Sequence, residues 1–582
     1  MASIPNYPAV VINEIDLSTR ITNGNITSYG AIAINSEWGP AEQVTLVDTE
    51  NTLVSTFGKP NAQTYVDFFT ATNFLSYSSS LQVVRVVDGT AKNAVAGNEI
   101  AQTAILIKNS DEFAVANTTA NNGLWIAKYP GTKGNSLFIA TCDSSIDLTS
   151  NVSHTSNTVG GLGIWSNFLN TKPGTSGHAA SMHGSYDEVH ILVFDALGLF
   201  TGTSGTILEK FEYVSLATNA KKEDGTNNYY KDVINQQSAY LWTGSTNLYT
   251  SNSTTTIGTQ FVPSSSNDAI YGLCSSLIKG VDTTSSNATA YINGYELFAD
   301  KKTVDVSHFI APQTSNGNSV VTGIITIAEN RGDSIVFISP EWSDVQPGNT
   351  QAAIANNVVD FKNVTIARSS SYYFMDGNWK YQYDKYNDVN RWIPCNGDVA
   401  GLKAQAETSN DAWWNGSGYT RGLLKNTIKL AWNPKDTYMG TIYKAGVNPI
   451  IAEGGSFILL GDKTGLTKPS SFDRINVRSL FNTLKTQIGG YLKYGLFDFN
   501  DEFTRAQLTS HVEVYLQSVK SRRGIEAFQV VCDLTNNDGQ VRDSNQLVMD
   551  IYIKPTKSIN WIILNMVNVG SSVTFNEVIG KF

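Results

Sequence analysis

The feature that most constrains the fold of this chain is an alternation of strand-like and helix-like segments that occurs on both sides of a long interruption. Before residue 95, the strand patterns "AIAINSEWGP" and "LQVVRVV" flank the helix pattern "TENTLVSTFG". After residue 303 the alternation returns in "VDVSHFIAP", "SVVTGIITIAENRG", "DSIVFISP" and "TQAAIANNVVDFKN". Alternating strands and helices are typical of parallel sheets with crossover helices. The sequence therefore predicts one α/β core built from both stretches.

The interruption, residues 96–295, has a different composition. Ser, Thr, Asn and Gly are frequent in "GTSGT", "TNLYTSNSTTT" and "DTTSSNAT", which separate short apolar runs such as "HILVFDA". Such segments form strands joined by long surface loops. A chain of 582 residues also exceeds the usual size of one domain. We therefore expect a multidomain protein of mixed α/β (α+β) class, with discontinuous α/β core domains and a β-rich surface insertion that faces outward.

The C-terminal third contains the clearest helical pattern, in "SSFDRINVRSLFNTLKTQIGGYL". Apolar residues recur at helical spacing on one face from Phe472 onward, whereas Arg474, Arg478 and Lys485 fall on the other face. The chain is acidic overall, so this basic face is a candidate contact surface.

A second helix and three strands are predicted after it. The helix pattern "DEFTRAQLTSHVEVYLQSVKSRRG" begins with acids, ends with bases and stops at Gly524. Strand patterns follow in "IEAFQVVCDL", "QLVMDIYIKP" and "INWIILNMV". Asp538-Gly539 predicts a tight hairpin turn between the first two strands.

Both ends of the chain lie outside these patterns and are expected to be extended arms. Residues 7–16, "YPAVVINEID", have β-branched residues, nearby prolines and no helical spacing. The tail "SSVTFNEVIGKF" lies at the opposite end. An extended segment can add a strand to the sheet of a neighbouring subunit. The residues predicted to make this exchange are Val10, Val11, Ile12, Val573 and Phe575.

Composition argues against several functional classes. The net charge is −10 and 16% of residues are charged, whereas a nucleic-acid or anionic-membrane partner requires a basic face. The start "MASIPNYPAVV" lacks a secretory pattern, and we find no run of about 18 apolar residues. We expect a soluble protein made in the cytoplasm, without direct nucleic-acid contact or membrane insertion. Its four cysteines form no CxxC pair and are expected to be buried free thiols.

Catalytic and metal motifs give little support for an enzyme. The sequence lacks GxxxxGK[ST], HExxH, GxSxG and a strand-linked GxGxxG. Imidazoles and a carboxylate could bind zinc, and the best such group is His178, His183, Asp187 and His190. The Gly and Ser residues around them do not hold ligands at fixed helical spacing, which favours solvated loop histidines. We predict no catalytic residue, no cofactor and no metal.

The segment "KYQYDKYNDVNRWIPCNGDVAG", residues 380–401, leaves several interpretations open. A calcium loop needs acids at alternate positions before a glycine, and the acids here have the wrong spacing. A glycoside hydrolase would need a carboxylate pair such as Asp384 and Asp388. An aromatic platform for sugars could be built from Tyr381, Tyr383, Tyr386 and Trp392. The structural alternative is packing and hydrogen bonding across a surface connection, and we favour it.

Several long segments resemble the contractile tail sheath proteins of T-even-like bacteriophages. The similarity near the N-terminus lies in "SEWGPAEQVTLV", "NTLVSTFGKPNAQT" and "LQVVRVVDGTAKN". Later it lies in "GNWKYQYDKYNDVNRWIPCNGDVAGL", "GYTRGLLKNTIKLAWNP", "GDKTGLTKPSSFDRINVRSLFNTLKTQIG" and "VVCDLTNND". It covers about residues 1–95 and 295–582, and we find none in residues 96–295.

The resemblance implies a non-enzymatic structural protein of the phage tail. Such a protein forms stacked hexameric rings around an inner tail tube, as a homo-oligomeric helical sheath that contracts once to drive the tube through the host envelope. Its other expected partners are the baseplate and tail terminator proteins. The family holds the tube through a C-terminal segment, which makes Arg474, Arg478 and Lys485 the expected tube contacts. The alternative function is a glycan-binding adhesin or a tail-associated glycoside hydrolase.

We expect three divisions of the chain. Residues 1–20 with 441–582 form a C-terminal core sheath domain with exchanged terminal arms. Residues 21–95 with 296–440 form a middle α/β domain, to which the tyrosine-rich segment belongs. Residues 96–295 form the outer insertion.

Overall fold

The computed structural model describes residues 28–96, 103–116, 118, 122–152, 162–249, 259–261, 274–283, 288–313, 317–560 and 562–564. The chain forms two compact units, unit 1 (residues 1–475) and unit 2 (residues 476–582). The predicted arm residues Val10, Val11, Ile12, Val573 and Phe575 lie outside the described residues.

The described strands are, in chain order, β1 (Gly30–Ile34), β2 (Val44–Val47), β3 (Leu81–Arg85), β4 (Val95–Ala96), β5 (Trp125–Ala127), β6 (Leu137–Cys142), β7 (Glu188–Asp195), β8 (Thr206–Ser215), β9 (Leu241–Thr243), β10 (Cys274–Ile278), β11 (His308–Ile310), β12 (Ile335–Ile338), β13 (Tyr373–Met375), β14 (Trp379–Asp384), β15 (Val389–Pro394), β16 (Lys429–Leu430), β17 (Ile450–Glu453), β18 (Ser456–Leu459), β19 (Ile525–Val531) and β20 (Asp550–Pro555).

The described α-helices are α1 (Glu50–Phe57), α2 (Tyr65–Leu75), α3 (Ser110–Val115), α4 (Gly177–Ser181), α5 (Tyr230–Gln237), α6 (Ala288–Glu296), α7 (Gly317–Arg331), α8 (Trp342–Val345), α9 (Gln351–Asp360), α10 (Asn396–Ser409), α11 (Asp436–Lys444), α12 (Ile475–Leu492), α13 (Glu502–Ser521) and α14 (Gly539–Asp543). A π-helical turn, Phe361–Ile366, continues α9.

The core of unit 1 is a six-stranded sheet in the order β13-β12-β11-β1-β3-β2. β1 pairs in parallel with β3 on one side and with β11 on the other, so the strands before residue 95 and after residue 303 share one sheet. β12 and β13 extend it in parallel, and only the edge strand β2 is antiparallel. The predicted mixed α/β class and its parallel core are confirmed.

Helices cover both faces of this sheet, because β1 buries its side chains alternately on either side. Ala31 and Ala33 pack with residues of α6, α7 and α9. Ile32 and Ile34 pack with residues of α1, α2 and α10. The helix predicted from "TENTLVSTFG" is confirmed as α1; the Thr49 hydroxyl accepts from the Thr52 N–H (3.2 Å) at its start, and Gly58 ends it at φ 89°.

A second sheet of seven antiparallel strands, β8-β7-β6-β10-β4-β5-β9, is formed by residues 95–278. The chain enters and leaves this region side by side at a pair that we call the neck, Lys92 and Val281. Each donates its backbone N–H to the carbonyl of the other, both at 3.0 Å. The predicted β-rich character of this region is thus confirmed.

Helix α6 falls inside the predicted insertion, yet it packs on the core sheet. A side chain at Gly294 would meet Val86 at 2.6 Å, so the helix lies directly against the strands. The Tyr291 hydroxyl donates to Asp67, and the Tyr295 hydroxyl donates to the Ile310 carbonyl. The structural edges of the insertion are therefore at the neck, not at residue 295.

Residues 441–475 also pack with unit 1. Ile442 and Val447 join one side of the core, and Ile450, Leu459 and Ile475 join the other. In the structure of the single chain, unit 2 begins at Asn476. The predicted domain boundary near residue 441 concerns the assembled protein and stays a prediction.

Unit 2 contains α12 from Asn476 onward, α13, α14 and an antiparallel pair of strands, β19 and β20. The predicted pairing of these strands is confirmed, but the tight turn at Asp538-Gly539 is wrong. Asp538 instead caps α14 by accepting from the Val541 N–H (3.0 Å), because Asp is also a favoured helix N-cap. The described residues of the third predicted strand, 559–560 and 562–564, are not in a strand.

Two further predictions concern cysteines and membranes. All four cysteines are free and buried, as expected. Among the described residues, no helix combines the length and apolar character needed to cross a bilayer.

Candidate interaction surfaces

The tyrosine-rich segment forms the hairpin β14–β15, and its acids serve the turn. Asp384 is buried and accepts from Arg391 Nε (2.8 Å), Asn387 Nδ2 (2.8 Å) and the Tyr386 N–H (3.0 Å). Burial raises the pKa of Asp384, but these hydrogen bonds outweigh burial and hold it below its usual range. Asp388, in the left-handed region at φ 52°, accepts from the Tyr383 hydroxyl (2.8 Å). The two carboxylates are thus engaged in holding the hairpin.

The aromatic residues of the segment do not form one platform. Tyr381 and Trp392 are neighbours, with ring centroids 4.7 Å apart at an angle of 43°, and Lys429 Nζ lies 4.9 Å from the Tyr381 ring. Tyr386 turns away, packs on Phe68 at 5.6 Å and donates to Glu50 at 2.9 Å. This dispersal supports the packing interpretation over sugar binding.

The hairpin is anchored by a buried ion pair. Lys380 Nζ lies 2.9 Å from the Asp398 carboxylate, and both side chains are almost wholly buried. The Tyr77 hydroxyl donates to the same carboxylate at 3.0 Å. Burial raises the pKa of Asp398, although Lys380 opposes this effect. The pair therefore ties β14 to the first turn of α10 and to the end of α2.

Two of the four residues considered for zinc, Asp187 and His190, are engaged in other hydrogen bonds. Asp187 is buried and accepts from the Ser176 N–H (2.8 Å) and hydroxyl (2.7 Å). His190 Nδ1 accepts from the Tyr213 N–H (3.0 Å), so its Nε2 carries the proton that it donates to the Thr171 carbonyl (3.2 Å). Over the described residues, no cluster of three His, Cys, Asp or Glu side chains suits a metal ion.

The three predicted tube-contact residues have different environments. Arg474 precedes α12 and is half-buried, with Nη1 2.6 Å from Asp462 and 2.7 Å from the Tyr443 hydroxyl. Arg478 is buried, at 6% exposure, and Lys485 is exposed. Arg474 belongs to unit 1 and the other two to unit 2. The helix starts at Ile475 rather than Phe472 because Ser471–Asp473 form a separate 3-10 turn, so Arg474 is not on the helix.

Many large apolar side chains of unit 2 are exposed to solvent. A folded monomer rarely leaves large apolar side chains in contiguous exposed groups unless they meet a partner. The exposed large apolar residues of unit 2 are Tyr494, Leu496, Phe497, Phe499, Phe503, Val514, Leu534, Tyr552, Ile559, Ile562, Ile563 and Leu564. From the sequence, only the basic residues of this region were named as candidate contacts. The apolar run "YGLFDF" is the sequence signal for the exposed surface, and it was missed.

The β19–β20 pair adds a second kind of open surface. Within the described residues the sheet has two strands, so each strand has an edge with no neighbouring strand. Such edges present backbone donors and acceptors that can pair with an added strand. A two-stranded sheet is also only marginally stable alone. The pair therefore leaves strand edges open to pairing with a further strand.

Comparison with known proteins identifies a family and close relatives in sequence. Residues 467–568 match the family described as phage tail sheath C-terminal domain. The chain is 31% identical to the tail sheath protein of Enterobacteria phage T4, covering 98% of this chain and 99% of that protein. It is 30% identical to the tail sheath protein of Salmonella phage ViI, covering 98% and 97%.

Solved structures show a related fold. The sheath tail protein of Desulfitobacterium hafniense superposes with a TM-score of 0.52 at 12% identity, covering 92% of this chain and 94% of that one. The sheath tail protein of Listeria innocua gives the same score and identity, covering 91% and 92%.

Proposed function

The chain belongs to the tail sheath proteins of T4-like bacteriophages, and from this membership we propose how its parts build a sheath. It is a structural protein of the contractile tail and a component of the virion. In our proposal, copies form stacked hexameric rings around an inner tail tube. The adhesin and hydrolase alternatives lose their main support, since the aromatic residues and carboxylates behind them serve the β14–β15 hairpin.

The observation that carries the proposal is the two-stranded sheet of unit 2 with its exposed edges. We propose that the arms containing Val10, Val11 and Ile12, and Val573 and Phe575, add strands to this sheet in neighbouring copies. About five backbone hydrogen bonds at roughly 1 kcal/mol each would make one such joint worth several kcal/mol. Such joints would persist while the bodies of the subunits rotate.

The inner tube is proposed to contact unit 2 through α12. Of the three basic residues first considered, Arg478 is buried and Arg474 is held by Asp462, which leaves Lys485 as the exposed one. An acidic tube surface would attract this face over about 10 Å at 0.1 M salt. The sheath would end at baseplate and tail terminator proteins, without direct contact to nucleic acid.

We propose that the protein is not an enzyme and that contraction uses energy stored in the extended lattice. An extended sheath of this kind is kinetically trapped and relaxes once to a more stable packing. The family role as a structural tail component supports this view.

The test is assembly without the N-terminal arm. Deleting residues 1–16 should leave a folded chain, judged by circular dichroism and thermal unfolding, that no longer forms long tubes in electron micrographs. A matched variant lacking only residues 1–6 keeps Val10, Val11 and Ile12 and should form tubes. Normal tubes from the longer deletion would show that strand exchange at this end is wrong.

A further inference from the structure

Unit 2 has two chemically different ends, which follow from its topology. α13 ends at Ser521 and β19 starts at Ile525, so the strand runs back toward the start of the helix. The Asn500 side chain, before α13, donates to the Gln546 carbonyl, before β20, at 2.8 Å. The start of α13 thus shares one end of unit 2 with the connection between β19 and β20. The end of α13 lies at the other, where Pro555 pairs with Ile525.

The first end, which we call the aromatic end, is residues 494–503. Tyr494 and Phe499 are each 88% exposed, and Phe497 is fully exposed. Phe497 also adopts φ 73°, a left-handed conformation that bulky residues rarely take. Residues in sparsely populated backbone conformations cluster at functional sites, which is a reason to look for a partner of this exposed aromatic residue. Asp498 and Glu502 are exposed among these rings, so the aromatic end is also acidic.

The second end, which we call the basic end, is residues 520–523 with Lys557. Lys520, Arg523 and Lys557 are all exposed. Arg523 follows α13 at φ 66°, the left-handed position that ends the helix. A helix of 20 residues is about 30 Å long. Asp498 and Glu502 therefore cannot reach the basic end of the same unit 2.

We propose that the aromatic end of one copy docks on the basic end of unit 2 in a second copy of this chain. The contact buries Phe497 and Phe499 and pairs Asp498 and Glu502 with Lys520 and Arg523 of the next copy. Because the two surfaces differ, the contact is heterologous, and its repetition generates a helical array rather than a closed pair. The proposal rests on the proposed polymerisation and adds a joint that does not depend on the arms.

Charge complementarity indicates which surface binds the aromatic end. A partner for the aromatic end must combine positive charge with apolar surface, because exposed carboxylates surround its rings. The basic end provides both, since Ile559, 82% exposed, follows Lys557 closely in the chain. Asp498 and Glu502 would repel an acidic surface, such as the one proposed above for the inner tube, which argues against the tube as the partner of the aromatic end.

The test uses two charge-reversed full-length variants. One carries Asp498→Lys with Glu502→Lys, and the other carries Lys520→Glu with Arg523→Glu. Each alone places like charges across the contact and should raise the protein concentration needed for tube formation at least tenfold, measured by sedimentation and electron microscopy. An equimolar mixture restores opposite charges across every contact and should assemble like the parent chain. A mixture that stays unassembled, or single variants that assemble normally, would overturn the docking.

The aromatic contribution has its own variant and control. Phe497→Ser with Phe499→Ser should raise the same threshold at least tenfold at all salt concentrations, whereas the charge variants should recover partly at high salt. Leu197→Ser with Leu199→Ser removes two exposed apolar side chains from the insertion and should change nothing. If the parent chain forms no tubes, the proposed function fails; if the parent and the aromatic variant form them equally, only the docking fails.

Discussion

At the scale of single residues, Asp376 is a buried carboxylic acid of unit 1 whose ionisation opposes folding. Its carboxylate accepts from the Ser339 hydroxyl (2.7 Å) and the Asn378 N–H (3.1 Å). Burial, aided by the nearby Asp398, raises the pKa of Asp376 to about 7. The folded chain therefore keeps a proton there that the unfolded chain releases above pH 4.

This shift predicts a pH dependence with a definite sign. The contribution of Asp376 to stability is fully present below pH 4 and is lost as the pH rises toward 7. Asp376→Asn does not titrate, so its advantage over the natural chain should grow by roughly 2–3 kcal/mol between pH 5 and pH 8, at about 1.4 kcal/mol per pKa unit. Urea unfolding midpoints of both chains at pH 5 and pH 8 measure this change in stability.

The exposed aspartate Asp388 provides the control for this prediction. Asp388→Asn makes the same substitution at an exposed position, where it weakens the contact with Tyr383. Parallel curves for the natural chain and Asp376→Asn would contradict the expected role of the buried carboxylate.

The roles of individual side chains were harder to predict from the sequence than the helices and strands. The acids and tyrosines of residues 380–401 are close in sequence, but a hairpin sends alternate side chains to opposite faces. Lys380 and Gln382 are buried, whereas Tyr383 is exposed. The partner of Lys380 is Asp398, which lies on α10, and no local pattern identifies such a tertiary pair.

At the scale of elements, helices and strands with strong local signals were predictable. α1 has both of its caps in the sequence, and the strands of the core sheet are continuous apolar runs. The start of α12 was missed because Phe472 and Ile475 continue the helical spacing while Ser470 begins a separate turn. Asp538 was misread because the same residue type favours both hairpin turns and helix caps.

The tube contact is a prediction at the scale of α12. Lys485→Glu should leave folding and sheath tubes intact and should weaken co-sedimentation with purified inner tubes, and its difference from the parent chain should shrink as salt rises, because salt screens the charge. Arg474→Glu is expected to destabilise unit 1 instead, because it places a carboxylate against Asp462.

The matched control for α12 is Lys493→Glu, a change of the same charge just beyond the helix at an exposed position. Unchanged tube binding by Lys485→Glu would place the contact elsewhere.

At the scale of the whole chain, the discontinuous core was predictable because strand and helix patterns resume after the insertion. The extent of the insertion was not, because α6 has the polar composition of the insertion but packs on the core. Nor could the sequence show that residues 441–475 pack with unit 1, since that depends on contacts between distant segments.

The neck predicts where the insertion can be removed. Replacing residues 93–280 with a short Gly/Ser linker, together with Trp38→Ser, should give a soluble chain that still forms tubes. Trp38 is included because it packs on Tyr129, Phe200 and Tyr240 of the insertion. Arg85 keeps its contacts to the Ser36 and Gly39 carbonyls when Pro130 is removed.

Deleting residues 96–295 is the matched comparison, because it also removes α6. That variant should be insoluble, since Ala33, Val86 and Asp67 lose their cover. Tube formation by the chain that lacks residues 96–295 would contradict the edges set by the neck. Insolubility of the chain in which residues 93–280 are replaced would contradict them as well.

The split core sheet also has a consequence for synthesis on the ribosome. β1 pairs with β3 on one edge and with β11 on the other, so both edges are paired only after β11 has been synthesised. β3 ends at Arg85, whereas β11 begins at His308. At about 5–20 residues per second, translation of the intervening chain takes on the order of 10–45 s. The seven-stranded sheet is contiguous and can fold in that interval. We therefore expect the nascent chain to carry unpaired apolar core strands through this delay and to bind host chaperones before any sheath can form.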